Sequence, residues 1–119
     1  MSTDPPRPFP HHRLRVWHHA ISFVELCSKR PPDDAELRNH ALRAAKSVAL
    51  NTAEGSPLTG RARKRFFRVA RASLVEVVAA YEIAHTLGDD VPLLDVMKRA
   101  DEIYAILTKL MQYEGGDSR

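Results

Sequence analysis

Only one cysteine, Cys27, occurs among the 119 residues; glycine and the aromatic residues are also scarce, at five residues and 7%. A lone cysteine excludes a disulfide within the chain, and with it the cross-linked scaffold typical of small secreted domains. No apolar run approaches the roughly 20 residues of a membrane span, and residues 1–10 lack the apolar segment of a secretion signal. A cytoplasmic protein without membrane contact is the expectation. Metal chemistry is poorly provided for as well. His11 and His12 stand seven residues before His18 and His19, two helical turns and too far for simple chelation, and no Cys or carboxylate set supports them. His40 and His85 fall in other segments. No metal and no cofactor is expected, and Cys27 reads as a small core hydrophobe.

The residues that are present suffice for one folded domain, with 44% apolar and 28% charged side chains. Pro5, Pro6, Pro8 and Pro10 disfavour an ordered element, so residues 1–12 read as a Pro-rich tail. Helical spacing follows in Leu14, Trp17, Ile21, Val24 and Ser28, with Ala20 and Cys27 beside them, until Pro31 and Pro32 stop the helix. Asp33 or Asp34 caps a second helix, whose stripe of Leu37, Ala41, Ala44, Val48 and Thr52 ends at Gly55. The third starts near Thr59 or Gly60, carries Phe66, Phe67, Ala70, Leu74, Val77, Val78, Tyr81 and Ala84, and closes at Gly88. Asp89 or Asp90 caps the fourth, with Pro92 in its first turn. Its apolar face is Leu93, Val96, Ala100, Ile103, Tyr104, Leu107, Leu110 and Met111, and residues 114–119 read as a frayed tail.

No β pattern competes anywhere, and short connections favour antiparallel neighbours. The pattern predicts an all-α fold, an up-down antiparallel four-helix bundle over residues 13–113. One feature exceeds what a monomeric bundle needs. Leu42, Ala49 and Leu50 point away from the main stripe of the second helix, giving it a second apolar face. These are either scattered surface side chains or a subunit interface.

Charge is unevenly spread. The net formal charge is +3, but residues 61–71 hold Arg61, Arg63, Lys64, Arg65, Arg68 and Arg71 with no acid, which leaves 12 basic and 15 acidic residues elsewhere. These cations sit at the start of a helix, where the macrodipole is already positive and natural sequences favour Asp or Glu. On a helical wheel Arg61, Lys64, Arg65, Arg68 and Arg71 share one broad face, with Arg63 nearer the apolar edge. Such a face is either a solvated surface or a phosphate site, which can use both the guanidinium forks and the helix N-terminus.

A polar stripe borders the apolar one. Arg43, Ser47, Asn51 and Glu54 step along the second helix, and Ser73 and Glu76 hold similar border positions on the third. Arg43 and Glu76 are expected to pair across the two helices, and Asn51 and Glu54 to hydrogen-bond the loop that follows. Nucleophilic catalysis needs a nucleophile beside a base, and neither stripe holds a His or Cys. The stripe therefore reads as a structural polar network, and the protein as no enzyme.

The segments "LRVWHHA" (14–20), "LRAAKSVALNTAEG" (42–55) and "RFFRVARASLVEVVAAYEIAHTLG" (65–88) resemble the bacterial four-helix-bundle family of proteins encoded in 23S rRNA intervening sequences. The accessory variability determinant of diversity-generating retroelements belongs to the same resemblance. Its motif residues stand here as Trp17, Arg43, Ser47, Asn51, Glu54, Gly55, Phe66, Ala70, Ser73, Leu74 and Glu76, over roughly residues 13–113. Thr52 stands where isoleucine is usual, Ala72 where glycine is common, Arg65 where relatives often carry an acid, and the loop 56–60 lacks the usual Gly-Arg start. The resemblance implies a ring-shaped homopentamer, which accounts for the second apolar face, and an association with RNA or DNA or with a protein such as a reverse transcriptase. Two functions follow as expectations. The first is a non-enzymatic oligomer that binds nucleic-acid phosphates through its third helix with weak sequence preference. The alternative is an oligomeric protein-interaction scaffold whose cations only solubilise it.

Overall fold

Four helices and one short 3₁₀ turn (Pro10–Arg13) account for most of residues 3–112, the part of the chain that the computed structural model describes. The helices are α1 (Arg15–Lys29), α2 (Ala35–Gly55), α3 (Gly60–Thr86) and α4 (Leu93–Gln112), and no strand occurs among the described residues. The expected C-terminal tail, 114–119, lies outside them. Within the expected N-terminal tail the 3₁₀ turn is ordered against α1: the His11 ring stands edge-on to Trp17, with centroids 4.5 Å apart.

Each boundary has a local cause. α1 stops before Pro31, because a residue that precedes proline is driven out of helical geometry. At the start of α2 the Asp34 carboxylate accepts the Leu37 N–H at 3.0 Å, satisfying a donor that the first turn leaves open. α3 ends in a Schellman motif. Gly88 takes φ +94, its N–H bonds the His85 carbonyl and the Asp89 N–H bonds the Ala84 carbonyl, both at 3.0 Å. The sequence offers Asp89 or Asp90 as the cap of α4, with Pro92 in its first turn. Instead α4 begins at Leu93, and Asp89 accepts the backbone N–H of Asp33 at 2.8 Å, fastening the α3–α4 loop to the α1–α2 loop.

Every helix packs on two others, α1 and α3 each against both α2 and α4. Pairings run antiparallel: Ser47 with Ser73 and Arg43 with Glu76 between α2 and α3, Ser22 with Arg99 and His19 with Glu102 between α1 and α4. α2 and α3 share the most extensive contact. Buried positions beside this contact are small, with Ala44 and Gly55 on α2 and Ser73 and Ala80 on α3, so the two backbones approach closely.

Two faces differ from expectation. On α1 the buried residues are Val16, Ala20, Phe23 and Cys27, while Ile21 is 44% exposed, Ser28 is exposed, and Trp17 and Val24 are half-buried. The true stripe is displaced by about one residue around the helix, because the large Phe23 takes the core position. On α2, Ala49 was placed in a subunit interface but is buried within the chain itself, one turn after Ala45. Leu42 is half-buried, and only Leu50, 62% exposed, stands clear of the core.

The end of α1 is sealed by a buried phenol. The Tyr81 hydroxyl donates to the Arg30 carbonyl at 2.8 Å, satisfying an acceptor past the last helical turn, a contribution of about 1 kcal/mol. Burial pushes the Tyr81 phenol well above its usual range and raises the Cys27 thiol to about 11.

Gly55 fixes the turn into α3. A Cβ placed there meets the Phe67 ring at 2.7 and 2.9 Å and the Phe66 Cβ at 3.1 Å. Gly55→Ala gains some helix propensity but forces that ring aside. A net loss of about 1 to 2 kcal/mol is expected, read as a lower denaturation midpoint with unchanged slope. A midpoint equal to or above wild type would show that Phe67 moves without cost.

Candidate nucleic-acid interface

α3 opens without the usual anionic support. Thr59 holds the N-cap position but makes no side-chain hydrogen bond, no acid lies in the first turn, and Gly60 sits at φ +58, where a side chain is strained. The first N–H groups of the helix thus have no side-chain cap, and cations follow at once.

The six cations divide into three groups. Arg61, Arg65 and Arg68 are exposed and lie on the side of α3 opposite Phe67, Ala70 and Leu74; Lys64, half-buried, borders them. From Arg61 to Arg68 the face extends about 10 Å along the axis at 1.5 Å per residue. Arg61, Arg65 and Arg68 have no ion pair or hydrogen-bond partner among the described residues. Arg71 is different. It is half-buried, donates to Thr108 Oγ1 at 3.1 Å and stacks on the Tyr104 ring at 5.1 Å, so it fastens α3 to α4.

Arg63, counted with the candidate phosphate-binding cations though nearer the apolar edge of the wheel, is not available to a ligand. Only 3% of it is exposed. Its Nε donates to the Gly55 carbonyl at 3.3 Å, its Nη2 donates to the Ser56 carbonyl at 2.8 Å, and its guanidinium lies over the Phe67 ring at 5.3 Å. Position explains the role. A helix leaves its last carbonyls unpaired and carries partial negative charge there, so a cation folded back from the next helix both bonds and neutralises the end of α2. Burial lowers the Arg63 pKa, yet a guanidinium remains charged at any ordinary pH. The sequence signal was its place at the apolar edge of the wheel.

The polar stripe on α2 and α3 forms a seam. Ser47 and Ser73 hydroxyls meet at 2.8 Å, and the Asn51 amide donates to the Ser47 carbonyl and hydroxyl at 2.9 and 3.0 Å. Arg43 donates to Glu76 at 3.4 Å. Two expectations fail here. Asn51 and Glu54 do not hold the following loop, because Asn51 turns back along its own helix and Glu54 is exposed without a partner among the described residues. Arg63 holds that loop instead. The stripe also gains a histidine: His40 Nδ1 lies 3.0 Å from Arg43 Nη2 and 3.2 Å from Glu76 Oε2. That nitrogen accepts from the arginine when bare and donates to the glutamate when it carries hydrogen, never both at once. The i, i+3 spacing of His40 and Arg43 was the signal for it.

This arrangement of Trp17, the Arg43–Glu76 seam, Gly55 against Phe67, and four helices in sequence can be set beside known proteins. Residues 12–109 match the family described as 23S rRNA-intervening sequence protein. The chain belongs to that family. No curated protein and no solved structure matches it significantly. The family match covers the whole of α1, α2 and α3 and most of α4, so the bundle and its polar seam lie within it. No helix among the described residues is long and apolar enough to cross a membrane.

Proposed function

We propose that this member of the 23S rRNA-intervening sequence protein family is a non-enzymatic oligomer that binds RNA or DNA through the outward face of α3. The observation that carries the reading is the exposure of Arg61, Arg65 and Arg68, bordered by Lys64, at a helix N-terminus that has neither an acidic residue nor a side-chain cap. Like charges held together at the positive end of a macrodipole cost stability, on the order of 0.3–1 kcal/mol each when exposed. Phosphates reverse that cost by accepting hydrogen bonds from guanidinium groups and backbone N–H groups together. The family membership supports an RNA context. Exposure of Leu50 beside Leu42 supports assembly, and the ring-shaped homopentamer implied by the resemblance would repeat the basic face around one axis.

No aromatic side chain accompanies Arg61, Arg65 and Arg68 on the outward face, since Phe67 is buried and Phe66 half-buried, so bases have nothing to stack on. Binding is therefore expected to follow phosphate number rather than sequence. Fluorescence anisotropy of the wild-type protein against unrelated RNA and DNA, at two salt concentrations, checks this. Similar affinity for all sequences and a steep loss with salt are expected. An absence of binding at low salt would instead support the protein-interaction scaffold.

A further inference from the structure

The outward side of α3 changes character halfway along. Beyond the cations it becomes apolar and borders a groove of about 470 Å³ shared with α4, lined by Val75 and Val78 on one wall and Met97 and Tyr104 on the other. Val75 is 59% exposed, Tyr104 40% and Met97 39%. Two carboxylates, Glu82 and Asp101, also line the groove, and neither side chain has an ion-pair partner among the described residues. An apolar trough with an acidic border takes a helix whose apolar ridge is flanked by cations.

The same chain carries such a ridge. Leu42, Lys46 and Leu50 stand four residues apart and form one row on α2, with Arg43 beside them. Leu50 is among the most exposed apolar side chains in the molecule. Leucine rows of this spacing form ridges that seat in grooves of a facing helical surface, and Lys46 complements Glu82 and Asp101 in sign. Ridge and groove lie on different helices of one rigid bundle, so they meet only between copies.

We infer that the Leu42–Leu50 ridge of one copy seats in the α3–α4 groove of the next, a head-to-tail contact in which each copy offers both surfaces. This rests on the oligomeric part of the proposed function and is independent of nucleic-acid binding. A head-to-tail contact leaves a signature that a two-fold contact does not: variants defective in opposite surfaces complement each other.

Sedimentation velocity of the full chain, without nucleic acid, tests it. Wild type is expected at several times 13.4 kDa at micromolar concentration. Leu50→Glu removes the ridge and Val75→Glu the groove; each is expected to weaken assembly at least roughly a hundredfold and to run as a monomer. Both positions are more than half exposed, so circular dichroism should match wild type, and Met97→Glu is a second groove variant should Val75→Glu fold poorly. An equal mixture of Leu50→Glu and Val75→Glu is expected to give a species of two chains, joining the intact groove of the first to the intact ridge of the second. A mixture that stays monomeric overturns the head-to-tail contact. Groove variants that assemble like wild type, while Leu50→Glu dissociates, overturn the groove assignment and leave the oligomer standing. A monomeric wild type ends both.

Discussion

Arg63→Ala is expected to lower stability by on the order of 3 kcal/mol, although the exposed Arg61, Arg65 and Arg68 of the same segment are expected to tolerate replacement far better. The side chain makes two hydrogen bonds from a charged donor to carbonyls that close α2 and covers the Phe67 ring. Bonds to charged groups contribute about 1.5–3 kcal/mol each, and truncation also leaves a void against Phe67. Thermal melts at fixed protein concentration should show a fall of roughly 10 °C. Arg63→Lys should lie between, since an ammonium keeps the charge at the helix end but cannot fork to both carbonyls. The bare-face alternative gives the opposite result. If Arg63→Ala melts like wild type while losing affinity for nucleic acid, the guanidinium points outward and its role at the end of α2 is wrong.

Replacing Arg61, Lys64, Arg65 and Arg68 together with Gln is expected to do the reverse. None of the three arginines has a partner to lose among the described residues, and relief of mutual repulsion and of the unfavourable dipole offsets the interaction lost at Lys64, so the melting temperature should change little. Affinity for RNA and DNA should fall by roughly a hundredfold to a thousandfold at low salt. With all four cations on phosphates, the slope of log affinity against log salt should flatten by about 3 to 4, because each lost contact removes about 0.9. The loss should be alike for unrelated sequences, since phosphate contacts position a duplex or strand without reading it. Anisotropy titrations of both proteins at two salt concentrations decide the matter. Equal affinities would make these cations a solubilising surface and leave the scaffold as the better reading.

The number and order of the helices were legible because their punctuation is chemical. Pro31-Pro32, the Asp34 cap and Gly88 each act through local backbone geometry that neighbouring residues cannot override, whereas Gly55 acts through the close approach of Phe67. The rotation of α1 was not legible. Leu14, Trp17, Ile21 and Val24 make as regular a stripe as Val16, Ala20, Phe23 and Cys27, and only the partners packed against the helix choose between them. Ala49 misled for a related reason. Ala49 stands on the side of α2 turned away from Ser47 and Asn51, and α1 and the 3₁₀ turn also pack on α2, so a small residue off the main stripe is enclosed without any change in pattern. The helical wheel already sets Arg63 nearer the apolar edge than Arg68. What the side chain meets there is the end of the preceding helix, and that is a property of the folded chain.

The buried environment of Cys27 has a practical consequence for chemistry at the surface. It is wholly enclosed beneath Tyr81, and with its thiol raised to about 11 almost none exists as thiolate near neutrality. Maleimides and disulfide reagents require that thiolate and a path to it. A cysteine introduced at an exposed position is thus the one such reagents reach, and the protein accepts a fluorophore or a cross-linker on a chosen face with its own sulfur left in place.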